Sequence, residues 1–108
     1  MIYEPDNWVI LKIDNQGETF YKVLAGWSGN YLYGSSWKLN SGIIRCEDND
    51  QYYNFCGHSG SVYKCRKDGY LVRMNIAQIL SQLQQKYPEN IKLMDDCDWN
   101  TFEWKSNE

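Results

Sequence analysis

The chain has 108 residues and a mass of 12.8 kDa, with 43% hydrophobic, 23% charged and 16% aromatic residues. That length suits one domain with one modest core, and those fractions exclude a disordered, collagenous or coiled-coil chain. Eleven Lys and Arg against fourteen Asp and Glu leave a net charge of −3, which disfavours nucleic acid as a partner because phosphate contacts need a basic excess.

In chain order, Met1-Ile-Tyr-Glu-Pro-Asp6 has neither the basic nor the apolar part of a secretory signal. Trp8-Val-Ile-Leu-Lys-Ile13 is a dense β-branched run and the first predicted strand. Asp14-Asn-Gln-Gly17 is a turn, because Asn tolerates and Gly readily adopts positive φ. Glu18-Thr-Phe-Tyr-Lys-Val-Leu24 follows as the return strand of a hairpin. From Gly26 to Trp37, glycine, serine and aromatic residues mix without a clear period, which predicts a loop with a short strand at Tyr31–Tyr33.

Strands resume at Ile43–Glu47, Gln51–Cys56 and Ser61–Arg66, separated by the turns Asp48-Asn-Asp50 and Gly57-His-Ser-Gly60. Three strands at hairpin spacing predict an antiparallel meander. Asn75 is placed as a helix N-cap with Gln78 three residues on. Ile76, Ile79, Leu80, Leu83 and Tyr87 then form one apolar stripe, and Pro88 stops the helix. Ile91-Lys-Leu-Met94 reads as a last strand, and residues 95–108 as an acidic tail free to move. No run approaches the roughly 18 apolar residues of a membrane span. The expected fold class is α+β: a single domain, 1–108, in which an antiparallel meander of about five or six strands carries one main amphipathic helix.

Motifs for chemistry are sparse. Cys46, Cys56, Cys65 and Cys97 lack any Cys-x-x-Cys spacing; without a secretory signal they read as reduced thiols of the cytoplasm rather than disulfides or zinc ligands. Cys56 and His58 are the one pair with the residue types for a thiolate nucleophile, but no third group orients them. The carboxylates of Glu47-Asp-Asn-Asp50 and Asp95-Asp-Cys-Asp98 read as solvated turns rather than a cation site. No cofactor motif is present, and no residue is assigned a catalytic or metal-binding role.

The aromatic residues, 5 Trp, 9 Tyr and 3 Phe, are more than one small core normally needs. Trp27, Asn30, Tyr31, Tyr33 and Trp37 lie among Gly and Ser in one segment. That is the composition of a recognition surface, in which rigid rings supply contact area and small polar residues adapt their hydrogen bonds. The alternative is that the rings fold back as a secondary core. Lys64, Arg66, Lys67 and Arg73 form the one basic stretch, a candidate phosphate or anion site.

The segment Phe20-Tyr-Lys-Val-Leu-Ala-Gly-Trp-Ser-Gly-Asn-Tyr-Leu-Tyr-Gly-Ser-Ser-Trp-Lys-Leu-Asn-Ser-Gly-Ile43, with Gly60-Ser-Val-Tyr63 and Trp99–Trp104, resembles small uncharacterised proteins encoded by tailed bacteriophages. The resemblance implies a phage accessory factor in the host cytoplasm and supplies no activity or functional residue. Together the readings predict a small non-enzymatic binding protein that occupies a host protein through its aromatic surface. The alternative is a sequestering protein for a small nucleotide-type signal, held by the aromatic loop and the basic stretch. A Cys56–His58 enzyme stands third. Unpaired sheet edges are compatible with a homodimer.

Overall fold

The computed structural model describes residues 1–29 and 36–104. Its strands are β1 (Ile2–Tyr3), β2 (Asn7–Asn15), β3 (Glu18–Trp27), β4 (Ser36–Leu39), β5 (Ile43–Asn49), β6 (Tyr52–Gly57), β7 (Val62–Arg66) and β8 (Ile91–Leu93), with one helix, α1 (Met74–Lys86).

The organising fact is that β2 is apolar on both faces. Val9 and Leu11 point one way and Trp8 and Ile10 the other, and all four are buried. β3, paired to it from Asn7↔Gly26 to Asn15↔Glu18, repeats the pattern with Leu24 on one face and Val23 and Ala25 on the other. The hairpin closes through Gln16 and Gly17, both at positive φ (53° and 83°), a turn whose twist matches that of the strands.

A two-sided apolar ribbon needs cover on both faces, so the expected single meander of five or six strands divides into two four-stranded sheets. One runs β4-β3-β2-β8 and the other β1-β7-β6-β5. The antiparallel β5-β6-β7 meander forms the second sheet, and β1 joins it parallel to β7. The layers are therefore α1, then the β2 sheet, then the β6 sheet.

The helix packs its stripe as the spacing requires: Ile76 and Leu80 are buried and Ile79 and Leu83 half-buried against Val9, Leu11, Leu24 and Ile91. Tyr87, expected to extend the stripe, lies past the helix end and is 41% exposed. Asn75 is not the N-cap. The cap position is Arg73, without a capping side chain, because Asn75 has a stronger use. Its Nδ2 donates to Asn7 Oδ1 at 2.7 Å, and Asn7 Nδ2 donates to Asn75 Oδ1 and to Leu71 O, each at 3.1 Å. This amide pair ties the start of the helix to fully buried Asn7. It also explains Gly26, where a Cβ would come within 2.6 Å of Asn75 Oδ1.

The acidic segment expected as a tail carries Trp99 into the space between the sheets, where it is 0% exposed. Its Nε1 donates to Asp96 Oδ1 at 2.9 Å, so the indole is buried with its one donor satisfied. Phe102 and Trp104 pack on the same cluster, Trp99 stacking on Trp104 with ring centroids 5.7 Å apart. Residues 105–108 lie outside the described part of the chain.

Candidate functional site

The two tryptophans expected to act together are separated by strand geometry. Gly26 pairs with Trp37, and Trp27 pairs with Ser36; paired residues share a face and successive ones alternate. Trp27 turns toward the β6 sheet. There it packs edge-on against Tyr3 (centroids 6.3 Å) and its Nε1 donates to Glu4 O at 3.0 Å, which makes it the rim of the core. Trp37 shares the face of Gly26, whose Cα lies against Asn75, and remains 48% exposed. The other proposed contacts, Asn30, Tyr31 and Tyr33, lie outside the described residues.

On the Trp37 side, at the start of α1, is a concavity of about 520 Å³ lined by Ser28, Val72, Arg73, Met74, Asn75 and Ala77. Met74 is 90% exposed, and Leu71 and Val72 are more than a third exposed. The helix begins here without a side-chain cap, so the first N–H groups, at Met74 and Asn75, have no intrahelical acceptor. The floor is stiff, because Asn75 and Leu71 are both hydrogen-bonded to Asn7. Ser28 is positioned by its N–H, which donates to Asp6 Oδ2 at 2.7 Å. Arg73 thus sits on a rim of exposed apolar side chains next to a positive helix end.

The four basic residues do not converge. Lys64 and Arg66 share the outer face of β7, Lys67 begins a 3-10 turn, and Arg73 belongs to the concavity just described. Arg66 donates from Nε to Asp68 Oδ1 at 3.1 Å, which lowers the carboxyl pKa of Asp68 and raises that of the guanidinium. Lys67 Nζ donates to Asp48 Oδ1 at 2.8 Å and lies over the Tyr53 ring. Lys64 lies over Tyr52, with Nζ 4.5 Å from the ring centroid. The hollows that these cations line also contain acids: Glu4 and Asp6 in one, Asp50 and Asp68 in the other.

Cys56 is buried at the end of β6, while His58 is exposed in the following turn. Among the described residues no hydrogen bond joins them. The Gly57-His-Ser-Gly60 segment is a structural turn, in which His58 N–H donates to Gly42 O at 2.9 Å and Ser59 N–H to Ser41 Oγ at 3.0 Å. The remaining thiols are held protonated: burial pushes Cys46 up to about 12 and Cys65 well above its ordinary value. Among the described residues no three His, Cys, Asp or Glu side chains converge as a metal site, and no helix is long and apolar enough to cross a membrane.

Sequence reasoning missed Leu71, Val72 and Met74. Their signal was an apolar run, Leu71-Val72-Arg73-Met74, falling just before the helical stripe and outside its period. Comparison with known protein families, curated proteins and solved structures finds no match for this chain.

Proposed function

We propose that this chain is a small binding protein that occupies a partner protein through the surface around the start of α1. The observation carrying this reading is the exposed rim of Val72, Arg73 and Met74 around the concavity, on a floor made rigid by the Asn7–Asn75 pair. Half-exposed Trp37 is on the same face of the sheet, cross-strand from the Gly26 that lies against Asn75. Large side chains held out on a stiff base bind with little loss of conformational freedom, and tryptophan and arginine are the residue types enriched among interface anchors. The partner it suits presents an apolar side chain for the Val72–Met74 rim and a carboxylate for Arg73. If the chain is phage-encoded, that partner is a host protein. Four free thiols support a place in the reducing cytoplasm.

A photo-crosslinking amino acid at Trp37 or at Met74 tests this reading in the expression host, with the same group at Glu18, on the hairpin tip, as control. The expected result is one adduct of the same mass from positions 37 and 74 and none from 18. Identical adducts at all three positions, or none at any, would overturn it. Trp37→Ala should weaken capture of that adduct while moving stability by less than about 1 kcal/mol, since the ring is half exposed.

A second reading, a sponge for a small anionic ligand, draws support from the same concavity: Arg73 and the uncapped helix N–H groups are donors for an anion. Native mass spectrometry separates the two, because a sponge purified untagged retains a small mass that is lost on denaturation.

A further inference from the structure

The edge strand of a sheet leaves the N–H and C=O of every second residue unpaired, a template for another strand. Among the described residues β5 is the longest edge, with seven residues against two, four and three in β1, β4 and β8.

Which backbone groups point outward follows from its neighbours. Lys67 N–H donates to Gln51 O and Gly57 N–H to Ser61 O. Odd-numbered residues of β6 therefore serve β7, and Tyr52, Asn54 and Cys56 serve β5. Their partners there are Asn49, Glu47 and Arg45. Cys46 and Asp48, between them, turn their N–H and C=O outward, and no backbone hydrogen bond among the described loops and turns reaches either one.

Arg45 and Glu47 flank Cys46 symmetrically on the outer face, with side chains 61% and 55% exposed. Within one chain Arg45 Nε donates to Glu47 Oε2 at 3.0 Å, a surface ion pair that a second copy across the strand would extend into an alternating network. We propose that β5 pairs with the β5 of a second copy, antiparallel, with the two-fold axis at Cys46. In that register Cys46 meets Cys46 of the other copy as a hydrogen-bonded pair. Arg45 of each chain then faces Glu47 of the other at the positions where cross-strand side chains come closest. The pattern is self-complementary, as an isologous interface requires.

It also rejects slips. Moving the axis to Arg45 sets arginine against arginine, and moving it to Glu47 sets glutamate against glutamate, each a destabilising like-charge pair. The remaining charge on the strand, Asp48, is answered within the chain by Lys67 at 2.8 Å. The irregular register between Ile43 and Arg45 limits the pairing to the segment from Arg45 onward.

Sedimentation equilibrium on the full chain tests the proposal through charge reversal. The wild-type chain should be dimeric. Arg45→Glu alone, or Glu47→Arg alone, should weaken association roughly tenfold by placing two like-charge pairs across the axis. An equimolar mixture of the two variants should recover a heterodimer, because each supplies the charge the other lacks. The double variant Arg45→Glu/Glu47→Arg should recover a homodimer. Both side chains are exposed, and circular dichroism checks that each variant stays folded. A monomeric wild type, a dimer indifferent to the single reversals, or weakened association that the mixture fails to restore would each overturn the proposal.

Discussion

The two faces of the β2 sheet are covered by different kinds of side chain. Toward the helix, Val9, Leu11 and Leu24 meet Ile76, Leu80 and Ile91, a layer whose buried hydrophobic members are all aliphatic. Toward the β6 sheet, Trp8, Ile10, Val23 and Ala25 meet Tyr53, Phe55, Tyr63, Cys65 and Trp99. A helix lays a continuous ridge on a sheet, and branched aliphatics fill that contact. Two sheets stand about 10 Å apart, and here rings from several segments fill the gap.

Rings with polar atoms also pin the segments that supply or receive them. Trp8 Nε1 donates to Arg66 O at 2.7 Å, tying β2 to the end of β7. Tyr70 O–H donates to Met94 O at 2.5 Å and accepts the Ile10 N–H at 3.1 Å, holding the chain beyond β8 against β2. The aliphatic layer supplies burial, and its polar tie of this kind is the Asn7–Asn75 pair at the start of the helix. The aromatic layer supplies burial together with the tertiary register of the C-terminal segment.

That contrast can be broken at its widest point by Trp99→Ala. Removal of a fully buried ring should cost about 3–5 kcal/mol, a large fraction of the stability of a domain whose total is roughly 5–15 kcal/mol. Urea unfolding measures it. An unchanged midpoint would mean that residues 95–104 do not belong to the core in solution. Leu80→Ala probes the other face, where loss of an aliphatic side chain should cost about 2–4 kcal/mol in the same assay. A cost above that of Trp99→Ala would reverse the ranking of the two layers.

The gentlest probe is pH, because the shifted groups pack on the sheet-facing cluster, Tyr70 touching the helix-facing one as well. Burial raises Tyr63 and Tyr70 from 10.0 to about 12 and Cys46 from 9.0 to about 12. The folded state therefore holds protons that the unfolded chain has released. This contribution is intact below about pH 9 and is lost as pH rises toward 12. The urea midpoint should fall across that window. Leu80→Ala should follow the same profile at a constant offset, since Tyr63 and Cys46 lie on the other face of the sheet; a profile of different shape would show that the layers are coupled through Tyr70, which touches both.

Much of the local structure was legible. Asp14-Asn-Gln-Gly17 marked the β2–β3 turn, the spacing of Ile76, Ile79, Leu80 and Leu83 marked the helix and its buried face, and the Gly and Asp turns marked the β5-β6-β7 meander. Each of these is written within a few residues. Asn75 misled because a cap and a long-range amide pair use the same side chain, and its partner Asn7 is 68 residues away. The candidate site was half legible. Trp37 was named from composition, but Val72 and Met74, the rim of the concavity at the helix start, come from a segment distant in sequence. Trp27, in the same loop by sequence, belongs to the core because strand alternation sends it to the opposite face.

The sequence by itself determined where the chain turns and which residues are apolar, because turn conformation and side-chain period are local properties. Only the tertiary structure decided that β2 is covered on both faces, that Trp99 closes the space between two sheets, and which aromatic rings remain outside. Those outcomes depend on which distant surfaces meet, and a residue's hydrophobicity states that it seeks burial without stating against what.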